Sequence, residues 1–426
     1  MNAVLRPAPA ALLDTAFALD PYPAYARLRE AGPLHWSDEF FGGAWLLTRH
    51  ADVEAVLRDD TRYSAQRTGG WVMNTANTAA DGEAGQGTRA ELMDFQRLFA
   101  RAMLFVDGAD HIRLRGVMNA GFRGEALERL RPFITTWIER KLDELDTTLD
   151  PEGGFEFMAE LARPLPAQVI AELMGIAPEA RERFTAASED LASFIGAPQP
   201  TLAQARRARL SLQCLAGHFE PLVALRRRQP GDDLVSRLVQ AEVRGEVHGG
   251  AELLAQCAML LFAGHETTRN LLGNGLQALL SHPAQWQRLQ HEPALLPGAI
   301  RELLRYDSPV QYTGRRVATD LVLHGQRLRR GELVVALIGS ANRDPARHER
   351  PDELDITRRN VGALSFGAGA HVCIGAALTL LEAQLLFGRL LTRWPNLQLA
   401  EAQPPWNANP VYRGLRSLRV CTRDPA

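Results

Sequence analysis

Hydrophobic positions along this chain recur mainly at helical spacing, with short patches of strict alternation between them. Residues 20–32, with Pro23, Tyr25 and Leu28, predict a first short helix. Pro33-Leu-His-Trp36, a Gly42-Gly43 turn and Ala44 to Thr48 predict a small hairpin. His50 to Arg58 returns to helical spacing. From 125 to 245 helix follows helix, broken near Ala177-Pro178 and Gln199-Pro200 and ending at Gly249-Gly250. Residues 251–280 are apolar on nearly all sides, as in a buried central helix. Another helix covers 299–305 and stops at Ser308-Pro309. Val317 to Val335 alternates, with turns at His324-Gly325 and Arg330-Gly331, and predicts short strands. A last helix opens at Ala376 and meets no proline until Pro395; Trp406 to Val420 reads as turns and short strands. The expected fold class is mainly α with small β-sheets (α+β), in a single domain over residues 1–426.

Residues 67–90 lose the pattern. They are rich in Gly, Asn, Thr and Ala without a period, and predict a long mobile loop. Trp71, Met73, Phe95, Phe99 and Met103 supply apolar groups that need a partner, which favours a substrate-covering role for 67–104 over a plain linker.

Composition narrows the classes. With 46% hydrophobic and 23% charged residues, the 426-residue chain has the balance of a soluble globular protein. A formal net charge of -2 gives no global attraction to nucleic acid or an anionic membrane. Cys214, Cys257, Cys373 and Cys421 are widely spaced, without a C-x-x-C, and predict neither a disulfide framework nor a zinc cluster. The longest apolar run, Ala258 to Gly264, is far too short to span a bilayer. Asp14 and Asp20 interrupt any signal-like core. A cytoplasmic, monomeric protein without membrane insertion or nucleic-acid partner is expected.

The candidate chemistry begins at residues 366–375, Phe366-Gly-Ala-Gly-Ala-His371-Val-Cys373-Ile-Gly375. Cys373 sits where a glycine loop opens a helix, so unpaired backbone N–H groups and the helix dipole favour a thiolate. The glycines leave room for a flat, bulky group to approach the backbone. In the central helix, Ala263-Gly264-His265-Glu266-Thr267-Thr268 puts a carboxyl and two hydroxyls among apolar residues, where they are costly unless hydrogen-bonded or neutral. Gly264 and the threonines suggest a local distortion that makes room for a ligand. His111 and Arg115 share one helix face and suit a dianionic carboxylate pair, though a solvated face has the same spacing. Glu302 and Arg305 form an i,i+3 pair.

These motifs, in this order across residues 20–420, resemble the cytochrome P-450 superfamily. The cysteine loop resembles its haem-thiolate signature, Glu266-Thr267 its acid–alcohol pair, and Glu302-Leu-Leu-Arg305 its E-x-x-R. His111, Arg115, Arg315 and His371 match positions that hold the haem propionates. One departure concerns the meander after Asn342: relatives carry an Arg that completes a triad with the E-x-x-R pair, and the aligned residue is Glu353. Either Arg350 or Arg358 serves instead, or Arg305 bonds another carboxylate or carbonyl.

The resemblance implies a single-domain fold with haem b between the central helix and the cysteine-loop helix. It implies Cys373 as the iron ligand, packed by Phe366, with Ala263, Gly264 and Gly375 close to the haem. Glu266 and Thr267 are then expected to manage protons during O₂ activation. No G-x-G-x-x-G unit or iron–sulfur cysteine cluster is present, so electrons should come from a separate ferredoxin or flavodoxin with its NAD(P)H-dependent reductase. Trp71, Met73, Phe99, Leu260, Val310, Tyr312, Val411 and Tyr412 are the candidate contacts for a lipophilic small-molecule substrate. The expected activity is hydroxylation or epoxidation, in bacterial specialised metabolism. The alternatives are a peroxide-driven or non-monooxygenase haem-thiolate enzyme and a non-catalytic haem sensor.

Overall fold

A computed structural model describes residues 12–67, 93, 95–150, 152–195, 197 and 200–422. Helices dominate it, and the central helix, Gly250–Leu280, is its axis. It is buried along most of its length, as its all-round apolar sequence requires. Around it pack Pro164–Leu173, Arg181–Ile195, Leu202–Arg228, Leu296–Tyr306 and the last helix, Ala376–Arg393. Gly264 serves this packing: a Cβ there would lie 3.0 Å from Ile170 Cδ1. The helix runs on unbroken through it, so the expected local opening for a ligand gives way to close helix–helix contact.

The strands lie at the edges. β1 (Leu34–Ser37) and β2 (Ala44–Leu47) form the expected hairpin, in register Leu34↔Leu47. A five-stranded sheet has the order β1-β2-β8-β5-β3, with β3 at Tyr63–Ser64, β5 at Thr313–Val317 and β8 at Leu333–Ala336. The turn signals at His324-Gly325 and Arg330-Gly331 separate β6 (Leu321–Leu323), β7 (Gln326–Leu328) and β8. Three short strands escaped the periodicity, β3, β4 (Gly154–Glu156) and β9 (Gln398–Leu399); β4 interrupts the all-helical stretch and pairs with β10 (Arg419–Cys421) near the end of the chain. A three-residue strand offers too little alternation to register, and its partner is over 260 residues away.

The E-x-x-R pair is a structural anchor. Glu302 and Arg305 are fully buried and joined by two bonds of 2.8 Å. Arg358 supplies the third member, its Nε 3.1 Å from Glu302 Oε1. Arg305 also donates to the carbonyls of Asn342, Pro351 and Glu353, at 3.0, 2.6 and 3.0 Å. Glu353 therefore contributes its backbone, while Arg350 pairs outward with the Glu353 carboxylate. Burial of this charge is tolerable because both Glu302 oxygens accept and each Arg305 nitrogen donates.

Candidate active site

The cysteine loop is shaped by its hydrogen bonds and one obligatory glycine. The Cys373 N–H donates to the Phe366 carbonyl at 2.8 Å. Gly369 has φ +73°, and a Cβ there would lie 2.7 Å from both Arg58 Cα and the Leu57 carbonyl oxygen. The loop thus rests directly on the end of helix His50–Arg58, which only glycine permits. Gly375 caps the last helix, and the N–H groups of Gly375 and Ala376 donate to the Cys373 sulfur. Burial pushes the Cys373 thiol up, and these donors together with Arg115 pull it back. A metal on the sulfur would take the proton's place.

That sulfur opens into a cavity of about 1470 Å³ of space between atoms, its mouth included. The central helix lines the far side with Met259, Leu260, Phe262, Ala263 and Thr267. Met103, Leu104, Ile195, Val310, Tyr312, Val411 and Tyr412 add to the wall. Five of the expected substrate contacts (Leu260, Val310, Tyr312, Val411 and Tyr412) therefore converge. Phe99 does not: it packs in the core between Phe95 and Phe105, with ring centroids 5.7 and 4.9 Å away. Its side chain gains more by burial against other rings than by lining a cavity. Trp71, Met73 and most of the loop at 67–90 lie outside the described residues.

The cationic end of the cavity joins Arg67, His111, Arg115, Arg315 and His371. The His111 and His371 rings lie 4.0 Å apart. Burial, with His371 and Arg115 nearby, pushes His111 down to about 4. His371 is also pushed down by burial, against the pull of Asp107 3.5 Å away. Burial thus disfavours a charge on either imidazole, and Arg115, Arg315 and Arg67 are the cations at this end. Arg67 was not foreseen: it is buried, packs its guanidinium 5.0 Å from the Phe105 ring, and is pushed down to about 9 by burial and by Arg315. Nothing in a lone arginine beside a glycine-rich stretch signals such burial. Asp107 was also missed; although burial raises it, bonds from His371, Ser64 and the Ala65 N–H hold it down to about 2.

Thr267 faces the cavity and its hydroxyl donates to the Ala263 carbonyl at 3.1 Å. Glu266 is buried, outside the cavity wall, and ion-paired to Arg269. Thr268 bonds Thr379 of the last helix at 3.1 Å. Three residues further along that helix, Glu382 is fully enclosed, its Oε2 without a partner among the described residues, and burial alone holds its carboxyl protonated.

These features fit a flat, dianionic, metal-bearing macrocycle. The sulfur ligand is open to the cavity, His111 Nε2 is buried without a hydrogen-bond partner among the described residues, and the buried Arg315 and half-buried Arg115 guanidiniums supply charge for two carboxylates. The Cytochrome P450 family model matches residues 84–411. The chain belongs to the cytochrome P-450 family. It is 38% identical over 411 residues to "Cytochrome P450 107B1" of Saccharopolyspora erythraea, covering 96% of each chain. It is 36% identical over 413 residues to "Polyketide biosynthesis cytochrome P450 PksS" of Bacillus subtilis, covering 95% of this chain and 96% of that one. Among solved structures it resembles P450BioI in complex with hexadec-9Z-enoic acid ligated Acyl Carrier Protein, with TM-score 0.85, 31% identity, and 96% and 100% of the two chains covered. This cytochrome P-450 is thus a monooxygenase with haem b as its cofactor. No helix among the described residues is long and apolar enough to cross a membrane.

Proposed function

We propose that this cytochrome P-450 hydroxylates or epoxidises a lipophilic small molecule of bacterial specialised metabolism, in the cytoplasm, as one domain spanning the chain. The observation that carries this is the cavity wall opposite Cys373: Leu104, Ile195, Met259, Leu260, Phe262 and Val411 are apolar, while the hydroxyls of Tyr312 and Tyr412 offer a few polar points. The PksS name ties a relative to polyketide biosynthesis, and P450BioI is solved in complex with an Acyl Carrier Protein ligated to hexadec-9Z-enoic acid. Electrons come from a separate ferredoxin or flavodoxin with its NAD(P)H-dependent reductase, because the chain carries no flavin or iron–sulfur motif of its own.

In this reading the Cys373 thiolate is the iron ligand, held by the N–H groups of Gly375 and Ala376, and Phe366 shields the sulfur side. Arg115 and Arg315 would balance the two propionates, and His111 and His371 would offer them hydrogen bonds. The bound haem supplies activation of O₂ and insertion of one oxygen atom into substrate. Thr267 turns its hydroxyl from the Ala263 carbonyl toward the cavity and presents a proton there, and Glu266 restores that proton from outside the cavity.

The test uses haem-loaded protein with a bacterial ferredoxin, its reductase and NADPH against fatty acids, terpenoids and macrolactones. Products heavier by one oxygen atom, formed only with both protein partners present, are expected. Equal turnover with hydrogen peroxide alone would overturn the O₂-dependent reading.

A further inference from the structure

The Glu266 carboxylate is held in a way its helix alone does not dictate. Arg269 Nη2 bonds Glu266 Oε1, one turn along the same helix. The other terminal nitrogen, Nη1, stands 3.5 Å from Oε1 of Glu189 on helix Arg181–Ile195. Glu266 and Arg269 are enclosed, with 8% and 11% of their side chains exposed, while Glu189 is 41% exposed. Arg163 lies beyond it, 3.9 Å from Glu189. Charge therefore alternates from the interior to the surface: Glu266, Arg269, Glu189, Arg163. The same outer helix touches the neighbouring turn a second time, through Ser188 Oγ and His265 Nδ1, 3.3 Å apart. Two polar contacts from one helix thus bracket the residue that precedes Thr267. An i,i+3 ion pair on an open helix face is weak and mobile; here enclosure and a second carboxylate hold the guanidinium at both ends.

We propose that Arg269, shared between Glu266 and the competing Glu189, is the positioning residue that fixes the Glu266 carboxylate and determines when it carries a proton. The proposal rests on the proton-supplying role given to Glu266 above. Helix Arg181–Ile195, whose last residue lines the cavity, thereby gains a part in proton delivery.

The charges around Glu266 come from several elements. On its own helix are Arg269, His265 and the neutral Asn270; Glu189 faces it from helix Arg181–Ile195, Arg163 from the segment before Pro164–Leu173, and Tyr412 from the C-terminal turns. His265, pushed down to about 3 by burial, is neutral at pH 7, and burial pushes Tyr412 up, so it is neutral as well. The acting charges are Arg269, Glu189 and Arg163. Burial raises Glu266, Arg269 opposes that, and Glu189 reinforces it. Removing Arg269 and removing Glu189 must then move Glu266 in opposite directions. A packing defect has no reason to produce that sign change.

The experiment is an infrared pH titration of the haem-loaded full chain, following the carboxylic-acid band that disappears in Glu266→Gln. In Arg269→Gln the midpoint should rise by about one pH unit or more. In Glu189→Gln it should fall by a smaller amount, and Arg269→Lys should return it toward the parent value. Shifts of the same sign in both glutamine variants, or no shift in Glu189→Gln, overturn the proposal. Glu189 is half-exposed, so its variant folds and decides the matter even if Arg269→Gln does not. The underlying reading is judged separately by the share of NADPH that ends as peroxide in Glu266→Gln: an unchanged share removes Glu266 from proton delivery without touching the infrared result.

Discussion

Arg358 Nε lies 3.1 Å from Glu302 Oε1, across 56 residues of chain, and completes the buried ion pair of Glu302 with Arg305. The arginine that closes this triad comes from five residues beyond the position where Glu353 stands. The carbonyl of Glu353 is still used by Arg305, so the meander contributes both a side chain and its backbone.

Arg358→Ala should cost about 2–4 kcal/mol, because it leaves part of a buried carboxylate's charge uncompensated. Arg350→Ala should change stability by less than about 0.5 kcal/mol, since its partners Glu353 and Asp355 are solvated. Chemical denaturation of the two variants side by side distinguishes these. Equal effects would remove Arg358 from the triad.

Gly369→Ala should lower haem occupancy while helix content is retained. The new Cβ meets backbone atoms at 2.7 Å, and the +73° φ adds strain of about 1–3 kcal/mol. The ratio of haem to protein absorbance measures occupancy, and far-ultraviolet circular dichroism measures the helices.

Thr267→Ala should send a severalfold larger share of NADPH consumption to peroxide, and Thr267→Ser should stay near the parent value. Its hydroxyl is the proton-bearing group that the central helix contributes to the cavity wall. A fully coupled Thr267→Ala enzyme would exclude the role proposed for that hydroxyl.

Acid sensitivity should be dominated by buried neutral histidines. Burial lowers both His265 and His348 to about 3. In the unfolded chain each takes a proton near pH 6.5, while the folded protein resists until about pH 3. The unfolded state therefore binds more protons across this window, and stability falls as pH drops through it, by about 1.4 kcal/mol per pH unit per histidine. Denaturation midpoints at pH 7 and pH 5 should separate, and His348→Gln should shrink the gap.

Much of the architecture was legible because its causes are local. Apolar periodicity located the central helix to within a residue of its start, and the alternation and turns before Val335 predicted β6 to β8. What escaped depended on distant partners. Phe99 is apolar whether it faces a ligand or Phe105, and Gly264 is small whether it makes room for a cofactor or for Ile170. Spacing cannot tell these apart, since it records which face a residue occupies and not what lies opposite.

The sequence by itself determined the chemistry of the proximal loop. Phe366, the glycines, His371 and Cys373 lie within ten residues, and the position of Cys373 at a helix start follows from short-range sterics and capping. Tertiary structure alone decided the charges and the enclosure. It selected Arg358, brought Arg67 beside Arg315, and pushed the titration of His111 and His371 down. It also held Glu266 between its own helix and Glu189. Burial and Coulomb interactions are properties of groups brought together from far along the chain, and only the folded molecule brings them together.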